Sequence, residues 1–310
     1  LKIFPESAIV QLEFDKVKFL LAEHCRGEYA KQKAENLRIH TRLDFISEAL
    51  EQSHEYSQIL RNGIYFPNDA VFNLSRELRL LEISGAVLSE EQLVSIRRLT
   101  AAAESIFRWF DSERKIAYPG LSRLLNTTSY EKKIQVMIDH VLDEGGQVKD
   151  NASEELERIR MSLYKRRNEL RKMFERVIQK LNKQGYLADI QESFINGRKV
   201  VAVFAEQKRM VKGILHGESD TRRTSFIEPE ETIGLNNEVF SLENEEKKEV
   251  YRILRELTAR LSVYAPQLHA YWIITGELDF IYAKARLAID MNAEYPVVTD
   301  KAQIHLVNAY

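Results

Sequence analysis

Gln184-Gly-Tyr-Leu-Ala-Asp-Ile190, Asn196-Gly197, Lys199-Val-Val-Ala-Val-Phe204, Val211-Lys-Gly-Ile-Leu215 and Ser225-Phe-Ile-Glu-Pro229 form a series of β-like runs and turn punctuation. They stand in a chain whose other segments repeat at helical spacing. Upstream, Leu156, Ile159, Leu163, Leu170, Phe174, Val177 and Leu181 make the apolar seam of one long helix over roughly 153–184, with a basic interruption at Arg166-Arg167. Downstream a second helix begins near Leu235, with a seam of Val239, Leu242, Val250, Ile253 or Leu254, Leu257, Leu261 and Tyr264. Two heptad helices flanking one β segment predict a mainly α protein with a long antiparallel coiled-coil arm and a small β tip. At 1.5 Å per residue a thirty-residue arm reaches roughly 45 Å.

The rest of the chain reads as a helical core. Apolar positions recur helically from Ser7 to about Asn62, including Val10, Leu12, Phe14, Val17, Phe19 and Leu20. Further helices are expected over about 71–82, 89–110 and 129–141, the second opened by the capping box Ser89-Glu-Glu-Gln92. In the block Asp143-Glu-Gly-Gly-Gln-Val-Lys-Asp-Asn-Ala-Ser153, Asp150 and Ser153 are both suited to cap the long helix. With 310 residues, 44% hydrophobic, the chain can bury a sizeable core. The single cysteine, Cys25, excludes an internal disulfide framework and reads as a small buried hydrophobe. Leu1-Lys-Ile-Phe-Pro5 lacks the layout of a signal peptide, and no apolar run is long enough to span a bilayer, so a cytoplasmic protein without membrane contact is expected.

Charge is distributed unevenly. The formal net charge is −2, yet residues 154–183 hold ten Lys and Arg against five Asp and Glu, and residues 184–224 hold seven against five. Two readings stand side by side. The basic segment could grip the backbone of a polyanion. Alternatively its cations solvate a helix pair and are neutralised by Glu243, Glu245, Glu246 and Glu249 of the returning helix.

Three segments resemble the MutS-two branch of the MutS family. They are Gly146-Gln-Val-Lys-Asp-Asn-Ala-Ser153 with Ile159-Arg160, Gly197-Arg-Lys-Val-Val-Ala-Val203 with Val211-Lys-Gly-Ile-Leu-His216, and Thr224-Ser-Phe-Ile-Glu-Pro229 with Leu235-Asn-Asn-Glu238. Leu278-Asp-Phe-Ile-Tyr-Ala-Lys-Ala285 is similar to the family's lever helix. The resemblance implies a lever/core domain over 1–152, a clamp over 153–237 (arm helix 153–183, β tip 184–237) and the return arm helix with the rest of the lever over 238–310. One departure is local. Where the branch often has a Ser-x-Ser-Gly turn, this chain reads Ser219-Asp-Thr-Arg-Arg-Thr224, without the glycine and with two added arginines.

What the resemblance implies for function is a non-catalytic clamp that encloses DNA, duplex or branched, by backbone contacts. Arg198, Lys199, Lys208, Arg209, Lys212, Arg222 and Arg223 are its candidate phosphate contacts. The parent would be an ATP-dependent anti-recombination protein. The alternatives are a clamp that seats on ribosomal RNA in a collided-ribosome-splitting ATPase, and a purely mechanical lever. ATP and Mg²⁺ are expected of a longer parent, since no Gly-x-x-x-x-Gly-Lys-Ser/Thr loop occurs in these residues. In the family an ATPase domain, and usually a Smr domain that bears on endonuclease activity, would follow Tyr310. Dimerisation rests mainly on that ATPase domain, so the parent is expected as a homodimer and this chain as a monomer or weak associate.

No other pattern points to catalysis. The seven histidines are scattered without metal-ligand spacing. Glu228-Pro-Glu-Glu231 could bind a cation, but Pro229 and the acids suit a turn into a helix N-terminus. His216-Gly217 reads as a turn after a strand. Phe226-Ile-Glu228 has the letters of a mismatch wedge in a context that does not suit one, and Trp109, Trp272, Tyr264, Tyr271 and Tyr282 read as core.

Overall fold

The computed structural model describes residues 8–300, 305 and 307. Ser7, Leu1-Lys-Ile-Phe-Pro5 and Asn308-Ala-Tyr310 lie outside them, as does the side chain of Val10. The chain is mainly α, with one small antiparallel sheet. In order, the helices are α1 (Ala8–Gln11), α2 (Phe14–His24), α3 (Glu28–Glu35), α4 (Leu43–Arg61), α5 (Ser75–Leu81), α6 (Glu90–Trp109), α7 (Ser112–Ala117), α8 (Pro119–Ser122), α9 (Lys132–Val141) and α10 (Glu154–Lys183). The strands β1 (Leu187–Ile195), β2 (Arg198–Phe204), β3 (Gly213–Glu218) and β4 (Thr224–Pro229) follow, then α11 (Glu230–Ser262) and α12 (Ala265–Asp290). The chain divides into two compact units, residues 1–140 with 257–310, and residues 141–256.

In the first unit α12 is apolar nearly all round. Ile274, Leu278, Ile281 and Ala285 join Tyr56, Ile59, Phe66, Ile106 and Trp109 in one cluster. Phe280 and Ala283 on another side join Leu21, Cys25, Ala30 and Ala34. Cys25 is buried, its thiol pushed up to about 12 chiefly by burial, which makes it a packing residue rather than a nucleophile. Tyr271 and Trp109 are buried as well. Two buried carboxylates each hold a distant helix N-terminus. Asp279 accepts from the amides of Arg26 and Gly27 ahead of α3, and Glu55 accepts from Gly120 and Leu121 in α8.

Several helices begin later than their periodicity predicts, and tertiary contacts give the reason. α5 starts at Ser75 rather than near Val71; the carbonyl of Phe72 accepts from Trp272 Nε1 (3.2 Å). α9 starts at Lys132 rather than Ser129. The hydroxyl of Tyr271 donates to Ser129 O and accepts from the amide of Glu131, holding that backbone out of helical form. The expected run over 7–62 is broken into four helices, and Leu12 and Phe19 are exposed while Leu21 is buried.

The second unit opens on a turn at 143–147, closed by the Leu142–Val148 bridge. Ser153 caps α10, its Oγ accepting from Leu156 N (3.0 Å) and donating to Glu249 Oε1 (2.6 Å). Arg252 holds the carboxyl of Glu249 down at about 2, well below the usual carboxylate range. All seven seam residues of α10 are buried. Leu163 and Leu170 pack on Val239, and Phe174, Val177 and Leu181 pack under the sheet with Val201, Val203 and Ile227. The seam's basic interruption is answered by acids of α11. Arg166 pairs with Glu238 and Arg167 with Glu243, while Arg160 pairs with Glu246 and also reaches Val148 O and Asp150. Those pairings set α10 and α11 antiparallel. α11 starts at Glu230, five residues ahead of the expected Leu235, directly behind Pro229 and with Glu230 and Glu231 in its first turn.

Gly276 on α12 lies against Tyr29, where an added Cβ would stand 2.4 Å from the ring. Gly276→Ala, favoured by helix propensity alone, is therefore expected to destabilise the protein by about 1–3 kcal/mol as the ring is displaced. Urea unfolding followed by tryptophan fluorescence measures this; an equal or raised midpoint would contradict the close packing.

Candidate nucleic-acid interface

The sheet has the order β1-β2-β4-β3, antiparallel throughout. It begins where α10 stops: Gly185, at φ +71°, carries the chain out of the helix, with Tyr186 N bonded back to Leu181 O. Asn196 and Gly197 both have positive φ, 51° and 77°, and join β1 to β2 in a two-residue turn with Ile195 opposite Arg198. Asn-Gly is the pair best suited to that backbone. Val200, Val201, Ala202 and Val203 are all buried, so β2 is covered on both faces.

At the centre is a charge with no exposed surface. Glu228 on β4 accepts from Arg198 Nη1 (2.8 Å) and Asn236 Nδ2 (2.9 Å), and lies 2.7 Å from His216 Nε2. Asn236 also bonds both the amide and the carbonyl of Lys199. One carboxylate thus ties β4 to β2, β3 and α11. His216 reaches it from a point where β3 is irregular. Leu215 stands opposite Ile227 and Gly217 opposite Phe226, which leaves His216 as the bulged residue. The expectation of a turn at His216-Gly217 is therefore corrected: both residues lie within β3. Glu228 is turned inward, Glu230 is exposed and Glu231 pairs with Lys180, so the four-residue acidic run is dispersed. Among the described residues no cluster of His, Cys, Asp and Glu could hold a metal ion. Phe226 stands within the ladder, paired with Ala202.

The seven candidate phosphate contacts fall into two groups. Arg198 is committed to Glu228 and Asn237. Lys199 is 14% exposed, pairs with Glu192 and lies 4.7 Å over the Phe174 ring. Lys208 pairs with Glu218, whose carboxyl it holds below the usual range. Arg209, Lys212, Arg222 and Arg223 are exposed and, among the described residues, make no ion pair. The backbone brings three of these toward one end of the sheet: Ala205 N bonds Arg223 O, and the Lys208–Glu218 pair ties the segment holding Arg209 to the β3 end. Exposed Glu206 and Asp220 share those segments, so the local excess of positive charge is modest.

The Ser219–Thr224 connection shows how the chain manages without the expected glycine. Arg222 N bonds Ser219 O (2.8 Å), Thr224 N bonds Ser219 Oγ, and Arg222 itself takes φ +55°. A non-glycine residue is thus held in the left-handed region, at a cost of roughly 1–2 kcal/mol. The residues that organise the sheet, Glu228, His216 and Asn236, stand in the sequence as members of an acidic run, a turn and a family-like segment, and none of those readings joins them to one another. The available signal was a glutamate inside the apolar run Ser225-Phe-Ile-Glu-Pro229.

Two substitutions probe the sheet. Glu228→Ala leaves Arg198, His216 and Asn236 without their acceptor and should cost about 3–5 kcal/mol. Hydrogen exchange should place the destabilisation in β2, β3 and β4, with α12 unaffected; protection unchanged in the sheet would refute the assignment. Arg222→Gly should leave stability equal or up to about 1 kcal/mol higher in urea unfolding, whereas a clear drop would mean that the arginine side chain supports the turn.

No family model matches the chain. Among curated proteins, Endonuclease MutS2 of Geobacillus sp. (strain WCH70) is 32% identical over 300 residues, covering 96% of this chain and 38% of its own length. Endonuclease MutS2 of Alkaliphilus oremlandii is 29% identical over 304 residues, and that of Aquifex aeolicus 29% over 291. These alignments cover 98% and 94% of this chain, which spans 38% of the length of each relative.

Proposed function

The chain is homologous to one region of the MutS2 proteins, and from that premise we propose that its 153–237 segment is a clamp that holds a nucleic-acid backbone without reading sequence. The observation that carries this is a group of exposed cations around the sheet that lie outside any ion pair among the described residues. Along α10, Arg160, Arg166, Arg167 and Lys180 are matched by acids of α11. Around the sheet, Arg209, Lys212, Arg222 and Arg223 remain exposed and outside any ion pair. Long flexible cations so placed suit phosphate contacts. Among the described residues five of the ten α10 bases are ion-paired, while Lys165, Arg171, Lys172, Arg176 and Lys183 are exposed and outside any ion pair, so the arm adds to the affinity supplied by the four side chains around the sheet. Arg198 and Lys199 are positioning residues that shape the sheet.

The target is DNA, duplex or branched, and this region performs no bond-breaking step. The relatives bear the name endonuclease, and nuclease chemistry, ATP and Mg²⁺ belong to parts of a longer protein beyond these residues. Ribosomal RNA offers the same phosphate chemistry and is the competing target. Electrophoretic mobility of branched DNA and linear duplex, and cosedimentation with ribosomes, distinguish them when run over a salt series. Binding should weaken steeply with salt. Replacing Arg209, Lys212, Arg222 and Arg223 by Gln should lower the log–log salt slope by about one for each phosphate no longer neutralised, with the melting temperature nearly unchanged. A wild-type chain that binds none of the three at low salt, or an unchanged slope in the variant, would overturn the reading. Binding to ribosomes alone would transfer it to RNA.

A further inference from the structure

The first unit contains a cleft that the proposed clamp does not use. It lies among α3, α4 and α12 and encloses about 790 Å³, within the size range of small-molecule sites. Its floor is apolar, formed by Phe280, Ile281 and Leu124. On its wall two ammonium groups flank one aromatic ring: Lys33 Nζ is 5.1 Å and Lys284 Nζ 5.0 Å from the centre of Phe280. A carboxylate serves one of them, Lys33. Glu277 accepts from Lys33 through both oxygens (2.5 and 2.7 Å) and from the hydroxyl of Tyr29 (2.6 Å).

Lys284 is left over. Among the described residues its ammonium has no hydrogen bond and no ion pair, only the face of Phe280. The other acid on the cleft wall, Glu48, is turned to Arg123. Arg38 and His40 stand at the rim, His40 tilted against Phe45 at 4.2 Å. The carboxylates of the cleft wall, Glu277 and Glu48, are thus each paired with another cation, Lys33 and Arg123. We infer that this cleft binds a small amphipathic organic anion, its apolar body on Phe280, Ile281 and Leu124 and its carboxylate or other acidic group on Lys284. Desolvation, with Lys33 adding to it, brings the ammonium of Lys284 down to about 8. A bound anion favours the charged form, so affinity should fall as pH rises through that value.

The probe is 8-anilinonaphthalene-1-sulfonate, an aromatic sulfonate that fluoresces when bound, titrated into the 310-residue chain, with octanoate as competitor and octanol as its uncharged counterpart. One saturable site is expected, displaced by octanoate far better than by octanol, and weaker at pH 9 than at pH 7. Lys284→Met, which keeps the stem and removes the charge, should weaken binding by about tenfold or more, while Lys284→Arg should largely retain it. Ala49→Phe fills the cleft without altering a charge and should also abolish binding, which keeps the test decisive if the lysine variants unfold. Equal competition by octanol, or binding indifferent to both Lys284→Met and Ala49→Phe, would overturn the proposal. Nucleic-acid binding by residues 141–256 is read separately and does not bear on either result.

Discussion

A carboxylate with no exposed surface sets the form of the sheet. Glu228 sits on β4 and collects Arg198 from β2, His216 from the bulge of β3 and Asn236 from α11. A buried charge is tolerated only when its hydrogen-bonding capacity is filled, so these four positions cannot move independently. The register of α11 against β2 follows from this demand, because Asn236 must reach both Glu228 and the backbone of Lys199. The form of the sheet is thereby fixed by groups other than the exposed side chains of Arg209, Lys212, Arg222 and Arg223.

The first unit uses the same chemistry for a different end. Asp279 and Glu55 are buried and sit at the N-termini of α3 and α8, where free amides need acceptors. Short helices can then start inside the core without leaving backbone donors unpaired. Burial raises the pKa of both carboxyls while the amide bonds oppose the shift, as expected of an anion whose solvent has been replaced by protein donors. Lys284 is the exception in this unit. It is a charge carried into a partly enclosed place where, among the described residues, it makes no hydrogen bond or ion pair and lies 5.0 Å from the centre of the Phe280 ring.

Local chemistry was legible where one residue type performs one task. The capping box at Ser89–Gln92, the Ser153 cap and the Asn196-Gly197 turn follow directly from side-chain reach and backbone preference. The seam of α10 was readable to the residue, because a single partner surface imposes a strict period. Periodicity misleads where a distant side chain claims the backbone. The runs at 71–74 and 129–131 look helical until Trp272 and Tyr271 bind those peptide groups. His216 looked like a turn for the same reason: its partner lies twelve residues away on another strand.

By itself, the sequence determined the mainly α class, the two long helices, the β segment between them and the concentration of basic residues around it, since periodicity, turn chemistry and charge are properties of neighbours along the chain. Only the tertiary structure decided which of those cations are free. Arg198, Lys199 and Lys208, and Arg160, Arg166, Arg167 and Lys180 of α10, are consumed by carboxylates brought close by folding, while among the described residues Arg209, Lys212, Arg222 and Arg223, and half of the α10 bases, are in no ion pair. Coulomb pairing acts over a few ångströms in space, and separation along the chain carries no record of that distance.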